Sequence, residues 1–212
     1  MAIIDEKYQE LVENLKSLGS ILVGFSGGVD STFLLYAALD ALGKEKVLAV
    51  TAVSPSLADR ERNEARTIAI KLNANHLEIT TDEMGIPEYR ANTELRCMHC
   101  KNELYTKLRE KAGELGYDHV VDATNADEAG GHRPGLKAID KLDIKTPLKE
   151  AGLSKREIRQ LSNKFDLPTW DKPSMACLAS RIPYGSEVNE EKLKRIGSAE
   201  EYLLNLGVRQ VR

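Results

Sequence analysis

Three cysteines carry the most reactive side chains in the sequence: Cys97-Met98-His99-Cys100 reads as a CxxC turn, and Cys177 lies far away in Lys172-Pro173-Ser174-Met175-Ala176-Cys177-Leu178. An odd number of thiols makes no complete disulfide framework, so in a reducing compartment they are either chemistry or buried apolar residues. Three thiolates would leave one iron of a 4Fe-4S cluster open to an external ligand. A closed zinc site would want a fourth ligand, for which His99 and His132 are candidates. A redox pair and inert thiols fit the same spacing, and spacing alone leaves all these readings open.

A second constellation, Ser26-Gly27-Gly28-Val29-Asp30-Ser31, stands between the apolar run Ile21-Leu22-Val23-Gly24-Phe25 and a helical stretch. In that context backbone N–H groups and the helix dipole make an anion site, two glycines admit a phosphate closely, and Ser26 and Ser31 add hydroxyls. Neither a Walker A lysine nor a GxGxxG pattern is present.

These residues need a frame to position them. The 212 residues suffice for one sizeable α/β domain, or one domain with a small appendage; 42% hydrophobic and 30% charged residues exclude collagen-like, low-complexity and wholly disordered chains. The start, MAIIDEKYQELVENLKSLGS, reads as an amphipathic helix rather than a signal peptide, and no apolar run is long enough to span a membrane. Buried strands are expected at 21–25 and 47–53, a weaker one at 76–79 and a fourth at 118–123. Helices are expected from about Asp30, over 58–72, 101–115, 154–165 and 189–206. This alternation predicts an α/β fold, a parallel sheet with helices on both faces, and a smaller C-terminal catalytic region. Ligands in such sheets sit beyond the carboxyl ends of the strands, which draws attention to the loops after Phe25, Val53 and Ala123. Trp170 is expected either beside a substrate ring or in the core.

The hexapeptide matches in full the SGGxDS signature of the PP-loop ATP pyrophosphatase superfamily, which it therefore resembles. The resemblance implies an adenine nucleotide alpha hydrolase-like fold, ATP bound with its β- and γ-phosphates held as a leaving pyrophosphate, and attack at the α-phosphate that adenylates a substrate oxygen. Phe25, Ser26, Gly27, Gly28, Asp30 and Ser31 would hold the nucleotide, Asp30 either orienting Mg2+ or capping the helix, and Val53 and Ser54 would pass the adenine by backbone contacts. Asn125 would line the same site.

Four further strings, RCMHCKNELY (96–105), DATNADE (122–128), RPGLKA (133–138) and WDKPSMACLASRIPYG (170–185), are similar to the LarE branch of that superfamily. That branch comprises ATP-dependent sulfurtransferases acting on pyridinium-3,5-biscarboxylic acid mononucleotide, in the making of the nickel-pincer nucleotide cofactor. The resemblance implies a substrate carboxylate activated as its acyl-adenylate and converted to a thiocarboxylate. In single-cysteine members the position matching Cys177 donates its own sulfur. The added Cys97 and Cys100 shift the expectation to a 4Fe-4S cluster on Cys97, Cys100 and Cys177 that carries sulfide. Ser180, Arg181 and Arg212 are the expected substrate contacts, Arg181 alternatively a structural ion pair.

The resemblance also divides the chain into a PP-loop domain (1–150) and a sulfurtransferase region (151–212). Family chains usually continue past this point, so the sequence is expected to be either shortened at its C-terminal end or that of a compact member. The expected partners are a small-molecule nucleotide, an external sulfide or other sulfur donor, and further copies of the chain, with no membrane and no nucleic acid, in the cytoplasm. A PP-loop tRNA thiolase is the rival, and the net charge of −3 supplies no basic face for RNA.

Overall fold

The computed structural model describes residues 2–130, 136–208 and 210–211. Helix α1 (Ala2–Ser17) leads into strand β1 (Ile21–Gly24), then α2 (Val29–Leu42), β2 (Val47–Val53), α3 (Asp59–Lys71) and β3 (Asn75–Thr80). A short α4 (Pro87–Arg90), the long α5 (Arg96–Leu115) and β4 (His119–Val121) follow. After β4 come α6 (Leu136–Lys141), α7 (Pro147–Glu150), α8 (Lys155–Lys164) and α9 (Glu190–Asn205), with a 3-10 turn at Leu178–Arg181 in the irregular stretch before α9.

The strands form one parallel sheet in the order β3-β2-β1-β4, with Ile21 beside both Val47 and His119. Side chains alternate across it, as the pleat requires. Ile21, Val23, Val47 and Ala49 pack with Leu11 and Leu15 of α1, Phe33 and Leu34 of α2, and Ile158 and Leu161 of α8. Leu22, Leu48, Val50 and Val120 face the other way, onto Tyr105, Leu108 and Ala112 of α5 and Ile139 of α6. Helices therefore cover both faces of the sheet, as its apolar strands demand. The chain steps outward from β1 through β2 to β3, then returns to lay β4 on the far side of β1. That reversal opens a crevice beyond Gly24, the place where such sheets bind ligands.

A third apolar cluster, Tyr89, Leu178, Ala179, Ile182, Val188 and Leu193, buries the irregular stretch, with Cys100, Met84, Ile86 and Ile196 partly buried against it. Helix α8 is tied down at its start by a capping box of Ser154 and Glu157. Burial alone would raise the Glu157 carboxyl, but hydrogen bonds from Lys7 and Ser154 outweigh it and hold the group at about 2.

Two sequence expectations change. Helix α5 starts at Arg96, not Lys101, so the CxxC is the first helical turn rather than a free turn. No Gly or Pro lies between 96 and 101 to stop it, and the backbone is already turning, with Arg96 N–H bonded to Thr93 O and Met98 N–H to Leu95 O. Trp170 is 44% exposed rather than in the core, because Leu167 and Thr169 take the inward positions.

Candidate active site

Strand β1 hands the chain to the Ser26–Ser31 loop at a fixed point: Phe25 N–H donates to Val50 O at 2.8 Å, and Phe25 O accepts from Thr51 Oγ1 at 2.7 Å. Gly27 then turns with φ of 69°, and a Cβ there would stand 3.0 Å from Ala65 Cα, so the loop lies directly on α3. Gly28, at φ −78°, is the N-cap of α2 and accepts Thr32 N–H at 3.0 Å. No side chain caps this helix, which leaves its positive end for a ligand. The Ser26 and Ser31 hydroxyls meet at 3.1 Å beside it.

Asp30 is not the cap; it stands in the first turn. Its Oδ2 accepts from Lys155 Nζ at 2.7 Å and from Asn125 Nδ2 at 3.4 Å, while its Oδ1 is buried with no hydrogen-bond partner. An orphaned carboxylate oxygen at the mouth of a phosphate loop fits a divalent cation such as Mg2+.

The loop forms one wall of a cleft of about 420 Å³. Phe25, Ser26, Gly28, Asp30 and Ser31 line it, with Thr51 and Ala52 from β2, Lys101 and Tyr105 from α5, Asp122 and Thr124 after β4, and Lys155, Ser174 and Met175. Gly27 and Asn125 stand behind the wall, Gly27 against Ala65 and Asn125 against Asp30. Val53 is not part of the lining; its carbonyl accepts Thr81 N–H at 3.2 Å, and Thr51 and Ala52 take the expected place. Ser54 is turned to the buried carboxylate of Glu83, which also accepts from Ser56 at 2.7 Å and Thr81 at 3.1 Å.

Cys177 opens onto a second cleft, of about 240 Å³, whose walls include Ser26, Gly28, Leu57 and Met175 of the first. Two anchors hold this segment there. Leu178 N–H donates to Ser56 O at 3.0 Å, and Lys172 Nζ donates to Gly27 O at 3.2 Å while pairing with Glu61 at 3.2 Å and Glu64 at 3.0 Å. Cys177 and Cys97 are exposed, and Cys100 is half-buried. Burial, then the charges of Glu83, Cys177 and Cys97, push the Cys100 thiol up to about 12, against a lowering by Arg96. Crowding of its sulfur by protein likewise raises Cys177, with Arg96 opposing and Cys97 adding to the rise. The three thiols thus lie within one another's fields. Among the described residues, however, no group of three or more His, Cys, Asp or Glu side chains is arranged to hold a metal ion.

Ser180 Oγ donates to Cys177 O at 2.7 Å, bracing the turn behind the sulfur. Arg181 forms a buried ion pair with Glu200 and reaches Ser180 Oγ at 2.7 Å and Val211 O at 2.9 Å, which is the ion-pair alternative rather than an open clamp. Arg212, His132 and residues 133–135 lie outside the described residues. Sequence reasoning missed the cleft cations Lys101, Lys155 and Lys172. Lys101 and Lys172 lie inside the strings RCMHCK and WDKPS, but nothing local says they turn inward; Lys155 announces itself by no pattern at all.

Comparison with known proteins agrees with this geometry. The NAD synthase family model matches residues 3–111. An uncharacterized protein of Synechocystis sp. is 44% identical over 209 residues, covering 99% of this chain and 78% of its own. The pyridinium-3,5-bisthiocarboxylic acid mononucleotide synthase of Lactiplantibacillus plantarum is 34% identical over 212 residues, covering 100% of this chain and 77% of its own. The tRNA-specific 2-thiouridylase MnmA of Rickettsia rickettsii is a more distant match, 27% identical over 211 residues and covering 81% of this chain and 57% of its own.

Proposed function

We propose, since the chain belongs to the LarE family of PP-loop ATP-dependent sulfurtransferases, that it converts a carboxylate of pyridinium-3,5-biscarboxylic acid mononucleotide into a thiocarboxylate. The observation that carries this reading is the joining of two clefts at one loop: Ser26, Gly28, Leu57 and Met175 line both the phosphate cleft and the Cys177 cleft. A bond made at the α-phosphate in the first then faces a sulfur arriving from the second.

In this reading the uncapped start of α2 and the Ser26 and Ser31 hydroxyls bind the β- and γ-phosphates, with Lys155 and Lys101 adding positive charge. A substrate carboxylate oxygen attacks the α-phosphorus, the bond to the β-phosphate oxygen breaks, and pyrophosphate leaves. Mg2+, held by Asp30, would neutralise that leaving group. A sulfur nucleophile then adds to the acyl carbon and expels AMP. Asn125 positions Asp30, and Ser180 positions Cys177. Arg181 and Arg212 are kept as substrate contacts, Arg181 on exchanging its Glu200 partner for an anion.

For the sulfur we retain the three-cysteine reading: Cys97, Cys100 and Cys177 would be the ligands of a 4Fe-4S cluster, which would supply sulfide when bound. The thiol count and the fields the three share support it. Such ligands call for a reducing compartment, hence the cytoplasm; no helix among the described residues is long and apolar enough to cross a membrane. Exposed Tyr202, Leu206 and Val208 near the end of α9 support a homo-oligomer. The test is incubation with ATP and the pyridinium mononucleotide, with tRNA as the rival substrate. Pyrophosphate, AMP and a thiocarboxylate from the mononucleotide are expected; a thiolated tRNA base without them overturns the proposal.

A further inference from the structure

Arg96 is the side chain that joins the CxxC to Cys177, and among the described residues its charge has no paired carboxylate. It is 5% exposed. One guanidinium nitrogen donates to Asn92 Oδ1 and to Ala179 O, both at 2.7 Å and both neutral, and the group lies 5.7 Å from the Tyr184 ring centre. Its other terminal nitrogen faces Cys97 Sγ at 4.0 Å. Among the described residues no carboxylate pairs with it, whereas Arg62, Arg66, Arg90 and Arg181 each hold a glutamate. A desolvated cation without a partner is costly unless an anion comes to share its space.

The surrounding groups say which side of the thiol cluster is positive. Glu83, buried and held by Ser54, Ser56 and Thr81, acts on Cys100 more strongly than Arg96, which opposes it there. Arg96 and the uncapped start of α5 face Cys97, and the Ala179 bond brings the same guanidinium to the turn that begins at Cys177.

We infer that Arg96 makes the approach to Cys97 and Cys177 selective for a small anion over a neutral molecule of the same size. It deepens the sulfur-transfer reading, in which the species approaching these thiols is the sulfur donor, but the charge selectivity is measurable without that reading. Arg96 draws the incoming anion by its fixed charge, the guanidinium being held in place by its hydrogen bonds to Asn92 Oδ1 and Ala179 O; it takes no part in adenylation.

The test uses the full-length chain, treated with chelator and reductant, and two alkylating probes of similar size, iodoacetate and iodoacetamide. Each displaces iodide at a thiolate, so their rate ratio at one cysteine cancels its thiolate fraction and reports local charge. With a net charge of −3 the chain as a whole disfavours iodoacetate. Peptide mass spectrometry should nevertheless give a ratio at Cys97 and Cys177 about fivefold or more above that of the urea-unfolded chain, the effect of one unit charge a few ångströms away through partly solvated protein. Cys100, beside Glu83, should show no such rise. Arg96→Gln should bring the Cys97 and Cys177 ratios to the unfolded value or below, and Arg96→Lys should retain most of the preference.

A ratio in the native chain no higher than in the unfolded one overturns the inference, as does an unchanged ratio in a folded Arg96→Gln variant. Should that variant not fold, the native ratio and Arg96→Lys decide. Because no ATP, substrate or sulfur transfer enters the measurement, a chain that transfers no sulfur is told apart from one whose thiol pocket is uncharged.

Discussion

Replacing Gly28 by valine separates the phosphate loop's binding role from its structural one. Gly28 has φ of −78°, which any L residue adopts, and a Cβ there meets only Ser26 Oγ, at 3.3 Å. The fold should therefore lose little, about 1 kcal/mol for a poor N-cap residue, or roughly 2–4 °C in Tm for a chain of this size. The two γ-methyls, by contrast, stand where the backbone must approach a phosphate, at the seam shared by both clefts. Displacing the phosphates from the α2 N-terminus should weaken ATP at least about a hundredfold, near 2.7 kcal/mol. Gly27→Ala is the contrasting control. Its φ of 69° and the 3.0 Å approach to Ala65 Cα strain the fold itself, so its melting temperature should fall by more than that of Gly28→Val. Calorimetric titration with a non-hydrolysable ATP analogue, beside thermal melts, reads both effects. A folded Gly28→Val protein with unchanged nucleotide affinity would exclude this loop as the phosphate site.

Asp30→Ala removes the unpartnered oxygen and should lower substrate-dependent pyrophosphate release about a hundredfold while raising the Mg2+ concentration needed for half-maximal rate; release of ADP and phosphate instead would refute attack at the α-phosphate. Replacing Cys97, Cys100 or Cys177 by Ala should abolish sulfur transfer while pyrophosphate release persists, and reconstituted native protein should hold about four irons per chain. Dehydroalanine at position 177 after a single turnover, with Cys97 and Cys100 dispensable, would overturn that assignment. Glu157→Gln keeps the capping box, since a glutamine oxygen still accepts Ser154 N–H, and should cost about 1 kcal/mol at pH 7 by losing the Lys7 pair. The native carboxyl sits at about 2, below its unfolded value, so its contribution is present above the ordinary glutamate range and fades as pH falls toward 2; equal melts of variant and native protein at pH 7 would contradict this.

The sheet was readable in the sequence because buried parallel strands are short apolar runs and the helices between them are amphipathic; the strand at 21–25 and the helix over 58–72 fall within a residue or two of their observed bounds. The phosphate loop was readable because its glycines and hydroxyls are consecutive. What escaped was whatever depends on side chains meeting from distant segments. Lys155 reaches Asp30 across 125 positions, and Lys172 reaches Gly27 across 145. Thr51 and Ala52 line the cleft where Val53 was expected, because Val53 O is taken up by Thr81, a pairing decided by where β3 ends. The CxxC spacing suggests a turn because cysteines suggest ligands, whereas the backbone meets no β-branched residue, Gly or Pro there and begins α5 at Arg96.

The start of α5 at Arg96 also makes two of the thiols neighbours of the first cleft. Placing Cys97 and Cys100 at the start of α5 sets them on the same helix as Lys101 and Tyr105, which line the first cleft. A helix packed by Tyr105, Leu108 and Ala112 against the sheet is a stiff support, so the thiols and the cleft cation keep a fixed separation. Cys177 has no such support; its segment is held by Leu178 N–H on Ser56, Lys172 on Gly27, and Ala179 O on Arg96. Each of these bonds ends on a different part of the site: the loop after β2, the phosphate loop and the CxxC turn. Cys177 is thus placed by the Ser26–Ser31 loop and by Arg96 at the head of α5 together, and in the proposed function adenylation and sulfur delivery would share that scaffold.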